Sequence, residues 1–182
     1  MKKILLLFGL LAVICIVSCG KDDATDPAVF EFTSYLIDEE SILETEYDEA
    51  GESSYEIGWK FTVSADGKIT RLGGLFPDAA DHTVTLWDSE GTMIAQVVVT
   101  ASPGELVSKK IDAVEVSNGE NYTVSYNTDF ENYYYKSGAI FPITLDYITV
   151  TGEVELGGDV VNFPSSGQIA FVGVPEIGFV RN

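Results

Sequence analysis

The chain has 182 residues, 46% of them hydrophobic and 12% aromatic, and 29 acidic side chains outnumber 10 basic ones for a net charge of −19. So acidic a surface excludes nucleic acid, which is bound by neutralising phosphates with lysine and arginine, and it opposes adsorption to anionic lipid. The apolar fraction excludes wholesale disorder, and the length suits one domain.

Met1-Lys2-Lys3 opens the chain, and the apolar run of 14 residues from Ile4 to Val17 follows. A spanning helix needs about 20 apolar residues, so this run reads as a secretory signal. Ile16-Val17-Ser18-Cys19 resembles the lipobox of bacterial lipoproteins. The resemblance implies that residues 1–18 are a lipoprotein signal peptide and that Cys19 carries a diacylglyceryl group as the lipid anchor to the membrane. Cys15 leaves with the signal, and a mature chain of 164 residues (182 less 18) holds no free thiol and no disulfide. Losing Lys2 and Lys3 takes its charge from −19 to −21. Residues 19–27 form an acidic linker. In it Gly20-Lys21-Asp22-Asp23 looks like the signal that sends some lipoproteins outward, so the expected location is the outer membrane of a Gram-negative bacterium, surface-exposed. Residues 28–182 are expected to form a single domain.

Residues 28–37 read as a first strand or as a segment packed on the body. Nine acidic residues crowd positions 38–56; helix within 38–47 stays open, and 50–54 reads as a loop. From Tyr55 the period is two: Tyr55, Ile57, Trp59, Phe61 and Val63 alternate with Glu56, Gly58, Lys60 and Thr62, the pattern of a half-buried strand. Asp66-Gly67 predicts a hairpin that sets Val63 against Thr70, Phe61 against Leu72 and Trp59 against Gly74. Glu90-Gly91 predicts a second, with Leu86 facing Ala95, Thr85 facing Gln96 and Val84 facing Val97. At Asn118-Gly119 a three-residue loop would pair Val116 with Tyr122 and Val114 with Val124. Strands are expected at 144–150, 153–156, 160–163 and 168–180, with a turn at Gly157-Gly158. Short strands and regular turn signals predict an all-β fold, an antiparallel β-sandwich, jelly-roll-like.

Four stretches carry a family resemblance: Glu56-Ile57-Gly58, Asp66-Gly67-Lys68-Ile69-Thr70, Leu86-Trp87-Asp88, and Gly119 through Ser125-Tyr126. In this order they resemble domain of unknown function 4082, over roughly 55–180 if the closing "FPSSGQIAFVGVPEIGF" is its terminal strand. The resemblance implies an extracellular β-sandwich, often attached to carbohydrate-active enzymes or adhesion modules. It supplies no catalytic residues.

The residues themselves offer little chemistry. His82, the sole histidine, stands beside Asp81 at a strand start, where a solvated edge position is expected. No Gly-x-Ser-x-Gly elbow, zinc ligand set, phosphate loop or calcium loop accompanies it. With 29 acidic residues, a glycosidase pair can always be proposed and so carries no information. No cofactor is expected, although calcium, held by Asp and carbonyl oxygens, stays open without a location. Binding is better supported. Phe130, Tyr133, Tyr134 and Tyr135 lie among Asp129, Glu131 and Asn132, and aromatic faces beside acceptors suit sugars. Phe130, Tyr133 and Tyr135 are therefore the candidate ligand residues. Trp87 joins them if its outward face is left uncovered; the alternative is a cover from the segment around 30–37. Trp59 is assigned to the core. The expected function is a noncatalytic surface module for glycans or adhesion. The alternatives are a structural or protein-interaction subunit of an outer-membrane complex, with a surface protein as partner, and a carbohydrate-active enzyme.

Overall fold

A computed structural model describes residues 29–33, 45–47, 53–137, 140–158, 160–165, 167 and 170–182. Cys19, the signal, the linker and most of 34–52 lie outside them. The elements are β1 (Phe30–Glu31), β2 (Thr45–Tyr47), β3 (Tyr55–Val63), β4 (Gly67–Leu75), β5 (Asp81–Trp87), β6 (Met93–Thr100), β7 (Leu106–Val116), β8 (Asn121–Asn127), β9 (Tyr133–Ser137), β10 (Ile143–Leu145), β11 (Ile148–Gly157), β12 (Ala170–Val172) and β13 (Pro175–Arg181). They form antiparallel sheets in the orders β1-β13-β4-β7, β10-β11-β3-β8-β5-β6 and β12-β9-β2. The fold is an antiparallel β-sandwich.

Its core follows from the period-two pattern. Ile57, Trp59, Phe61 and Val63 of β3 are buried with Val84 and Leu86 of β5, and with Tyr122, Val124 and Tyr126 of β8. Facing them are Ile69 and Leu72 of β4, and Ile177 and Phe179 of β13. The hairpin at Glu90-Gly91 has the expected register, Val84 to Val97, Thr85 to Gln96 and Leu86 to Ala95, then a bulge that sets Trp87 against Met93. Asp88 Oδ1 accepts from the amides of Glu90 (2.9 Å) and Thr92 (2.8 Å), and Gly91 supplies the left-handed residue at φ 81°.

Two expected hairpins are instead arches between sheets. β3 pairs with β8 and β11, while β4 pairs with β13 and β7, so Asp66-Gly67 connects β3 to a strand of the facing sheet. Gly67 is not left-handed; a Cβ there would collide with the Phe179 ring and, at 2.5 Å, with the Val180 carbonyl oxygen. Close packing, not turn geometry, demands the glycine. Asn118-Gly119 likewise carries the chain from β7 across to β8. The two arches are tied together: Gly119 N donates to Val63 O (2.9 Å) and Asn118 N to Asp66 Oδ1 (2.8 Å).

Other expectations change in detail. The strand at 144–150 is broken by a turn at Asp146-Tyr147, residues 153–156 belong to β11, and 160–163 form no strand. Instead Phe163 packs edge-on against Trp87 of β5, with ring centroids 5.8 Å apart. Residues 45–47 are strand, not helix. The segment at 29–33 packs on the body as well as pairing with β13. Phe32 is buried against Trp59, with ring centroids 4.9 Å apart, and the Thr33 amide donates to Glu176 Oε2 at 2.7 Å. Glu176 Oε1 takes the Ile177 amide at 2.8 Å. Burial in this site pushes the Glu176 carboxyl up to about 8, the hydrogen bonds from Thr33 and Ile177 pull against it, and the charge of Glu31 adds to the rise. The chain thus enters the sandwich two residues from the Phe179–Arg181 end of β13, beside the Asp146-Tyr147 turn.

Candidate functional site

The opposite end of β3 carries the candidate site. Tyr55 begins β3 and Asn127 ends the paired strand β8, so the loop after Asn127 rises beside Tyr55. Backbone and side chain fix that loop together. Thr128 N donates to Tyr55 O at 2.8 Å, Tyr55 N donates to Thr128 Oγ1 at 3.0 Å, and Glu131 N closes on Thr128 O at 2.9 Å. Between them Asp129 and Phe130 are both left-handed, at φ 49° and 66°. An aromatic residue rarely adopts that conformation, and its cost of about 1 kcal/mol must be met by the surrounding bonds. The result is a Phe130 side chain held out in solvent, 42% exposed. It lines a pocket of 350 Å³ together with Ser53, Ser54, Tyr55, Gly157 and Gly158. Gly157 and Gly158 bring no side chain, so the wall there is backbone.

Asn127 organises the underside. Its Oδ1 accepts from Ser54 Oγ (2.9 Å) and from the Asp129 amide (3.0 Å), and its Nδ2 donates to Gly158 O (3.4 Å). One side chain therefore ties three walls of the pocket together. Behind it lies a buried acid. Glu56 Oε1 accepts from Ser125 Oγ at 2.5 Å, and Ser125 Oγ accepts from Trp87 Nε1 at 2.8 Å. Glu56 Oε2 finds no donor. Burial pushes the Glu56 carboxyl up to about 7, while Ser125 and the nearby Asn127 amide pull it back.

Of the sequence candidates, Phe130 lines the pocket. Tyr133 reaches it through Tyr55, whose ring meets its own edge-on at 6.2 Å; it is half-buried and packs on the core. Tyr135 is half-buried in β9, between β2 and β12. Trp87 does not belong to an exposed surface. It is 5% exposed, and Phe163 packs edge-on against it; of the segment around 30–37 offered as its cover, residues 34–37 lie outside the described residues. Its connection to the pocket is the hydrogen-bond chain through Ser125 to Glu56.

His82 is not the solvated edge residue expected. It is fully buried, stacked on Phe76 at 4.1 Å and met edge-on by Tyr126. Nε2 lies 2.9 Å from Asp78 Oδ1, and Nδ1 lies 3.5 Å from Asn127 O. Both nitrogens face acceptors, so the ring ties the 76–82 loop to the site loop rather than activating a hydroxyl. Among the described residues no three His, Cys, Asp or Glu side chains are grouped to hold a metal ion.

Sequence reasoning missed Tyr55, Ser54, Glu56, Ser125 and Asn127 as parts of one cluster. The signal was present in the motifs: Glu56 of Glu-Ile-Gly, Trp87 of Leu-Trp-Asp and Ser125 of Ser-Tyr meet in a single hydrogen-bond chain. The structure thus defines a β-sandwich with an aromatic pocket at one end and a buried polar cluster beneath it. A family model for a domain of unknown function, DUF4082, matches residues 43–168. The chain belongs to that family. The match begins upstream of 55 and stops before β12 and β13, so the closing strands lie beyond it. A search of curated proteins finds no match.

Proposed function

We propose that this protein is a surface lipoprotein, anchored through Cys19 in the outer membrane, whose sandwich is a noncatalytic module that binds glycan chains at the Phe130 pocket. The observation that carries the reading is Phe130 itself, an exposed aromatic ring held on two consecutive left-handed residues beside Tyr55. Strain of this kind persists where the surroundings impose it, and it gathers at binding sites. A pyranose would lay its apolar face on Phe130 and take hydrogen bonds from the Ser53 and Ser54 region and the backbone of Gly157 and Gly158. The noncatalytic reading is supported by Glu56, which is covered, and by His82, whose nitrogens are engaged.

A glycan array probed with soluble residues 25–182, at low salt with and without calcium, tests the reading. The expected result is saturable binding to a polysaccharide class that Phe130→Ala and Tyr133→Ala together abolish. A blank array from protein with native circular dichroism, or binding that ignores both substitutions, overturns it.

A further inference from the structure

The stretches of chain that line the Phe130 pocket carry formal charge of one sign. The pocket is built from 53–55, Phe130 and 157–158, and no lysine or arginine occurs from 22 to 59, from 111 to 135 or from 137 to 180. The basic residues nearest along the chain are Lys60, five positions beyond Tyr55, and Lys136, six beyond Phe130. Asp129 and Glu131 stand on either side of Phe130, and both are exposed. Their Cα atoms are about 3.8 Å from that of Phe130. Whichever way the side chains turn, both carboxylates stay within on the order of one Debye length of the ring. Neither is held in an ion pair: among the described residues the pairs are Lys68–Glu115, Arg71–Glu31 and His82–Asp78.

The same loop has spent its hydrogen-bond donors. The amides of Tyr55 and Thr128 serve Thr128 Oγ1 and Tyr55 O, those of Asp129 and Glu131 serve Asn127 Oδ1 and Thr128 O, and that of Gly158 serves Ser54 O. The Ser54 hydroxyl donates to Asn127 Oδ1. What remains for a ligand is aromatic surface and acceptors, two of them carboxylates. An acidic ligand would meet neither a cation nor one of these amides, the groups that hold carboxylates and sulfates. An ammonium group is the complement. It offers three donors and no acceptor, and it is attracted to the face of a phenylalanine or tyrosine ring.

We propose that the Phe130 pocket takes a glycan bearing protonated amino groups and rejects uronate-containing and sulfated chains. This rests on the glycan reading of that pocket and names the class of sugar. The apolar face of an amino sugar lies on Phe130, and its ammonium is shared between the ring edge of the pocket and the carboxylates of Asp129 and Glu131. A neutral sugar of the same shape keeps the stacking and loses the attraction of both charges.

The test is an NMR titration of soluble residues 25–182 at pH 6, where amines are protonated and surface carboxylates are ionised. The probes are the trimers of glucosamine, N-acetylglucosamine and galacturonate. The glucosamine trimer should shift the amides of 127–131 and bind about tenfold more tightly than the acetylated trimer, two exposed ion pairs being worth about threefold each. The galacturonate trimer should leave those amides in place. Asp129→Asn with Glu131→Gln should bring the two hexosamine trimers to within about twofold of each other. Asp112→Asn with Glu120→Gln removes two exposed charges elsewhere and should keep the preference. Equal binding of all three trimers at 127–131, or tighter binding of the acetylated or uronate trimer there, overturns the proposal and leaves a glycan pocket of another class. Shifts by the glucosamine trimer that spread over the acidic surface and ignore Asp129→Asn with Glu131→Gln overturn it as general attraction to a chain of net charge −19. No shift by that trimer also overturns it, while the array decides separately whether the pocket binds sugar at all.

Discussion

Glu176 makes the stability of this fold fall as pH rises through the neutral range. Its carboxyl titrates near 8 in the folded chain against an ordinary value of 4.5. The folded state therefore holds a proton that the unfolded state has already lost, and stability must fall as pH rises through the interval between the two values. Surface carboxylates have finished titrating by about pH 6, so from about pH 6 to 8.5 the buried acids titrate without them. Across that range Glu176 alone removes about 2–3 kcal/mol, and Glu56, near 7, removes about 1 more. The assay is urea unfolding at the two pH values, followed by circular dichroism. Glu176→Gln keeps one acceptor for the Thr33 or Ile177 amide and cannot ionise. It should lose about 1 kcal/mol at pH 6 and retain most of its stability at pH 8.5, so the two curves cross. Equal stability of the wild type at both pH values, or an undiminished slope in Glu176→Gln, refutes the reasoning.

Three further outcomes are expected. Phe32→Ala empties a fully buried site against Trp59 and should cost about 3–5 kcal/mol in urea unfolding, with a red shift of tryptophan emission. Phe130→Gly relieves a left-handed phenylalanine and should raise stability by about 1 kcal/mol, a Tm gain of about 2–4 °C by calorimetry, while glycan binding is lost. Gly91→Ala combines a left-handed position with a Cβ that would lie 2.8 Å from the Phe163 ring; it should cost about 1–3 kcal/mol and increase acrylamide quenching of Trp87.

What the sequence revealed was local. The Asp88–Thr92 turn joins neighbouring strands, so counting outward from it fixes Val84 against Val97. The same count fails at Asp66-Gly67, because alternation along 55–63 states which face is buried and not which strand lies alongside. Both a hairpin and an arch bury Trp59 and Phe61; the choice is made by Phe179, more than a hundred residues away, packing where a Gly67 side chain would stand. The site divides the same way. Phe130 announced itself as an aromatic among acceptors, whereas Glu56 read as one more polar residue on a solvated face. Glu56 is nonetheless buried, its Oε1 held by Ser125 on the neighbouring strand, and no spacing near Glu56 encodes a partner 69 positions later. His82 was misplaced for a related reason: Phe76 and Tyr126 enclose it from two other parts of the chain.

The point of entry of the chain sets a direction for the whole molecule. Val29 and Phe30 join beside Arg181 and the Asp146-Tyr147 turn, while Tyr55 and Phe130 lie at the other end of the nine-residue β3, about 27 Å along the strand. Given the lipid proposed at Cys19, eleven residues of tether reach at most about 37 Å. The body would then stand on its entry end like a lamp on a short post, its aromatic ring turned to the medium. On that proposal, polymers arriving from outside would meet that ring first, and lipid headgroups of the same leaflet would lie at the far side of the sandwich.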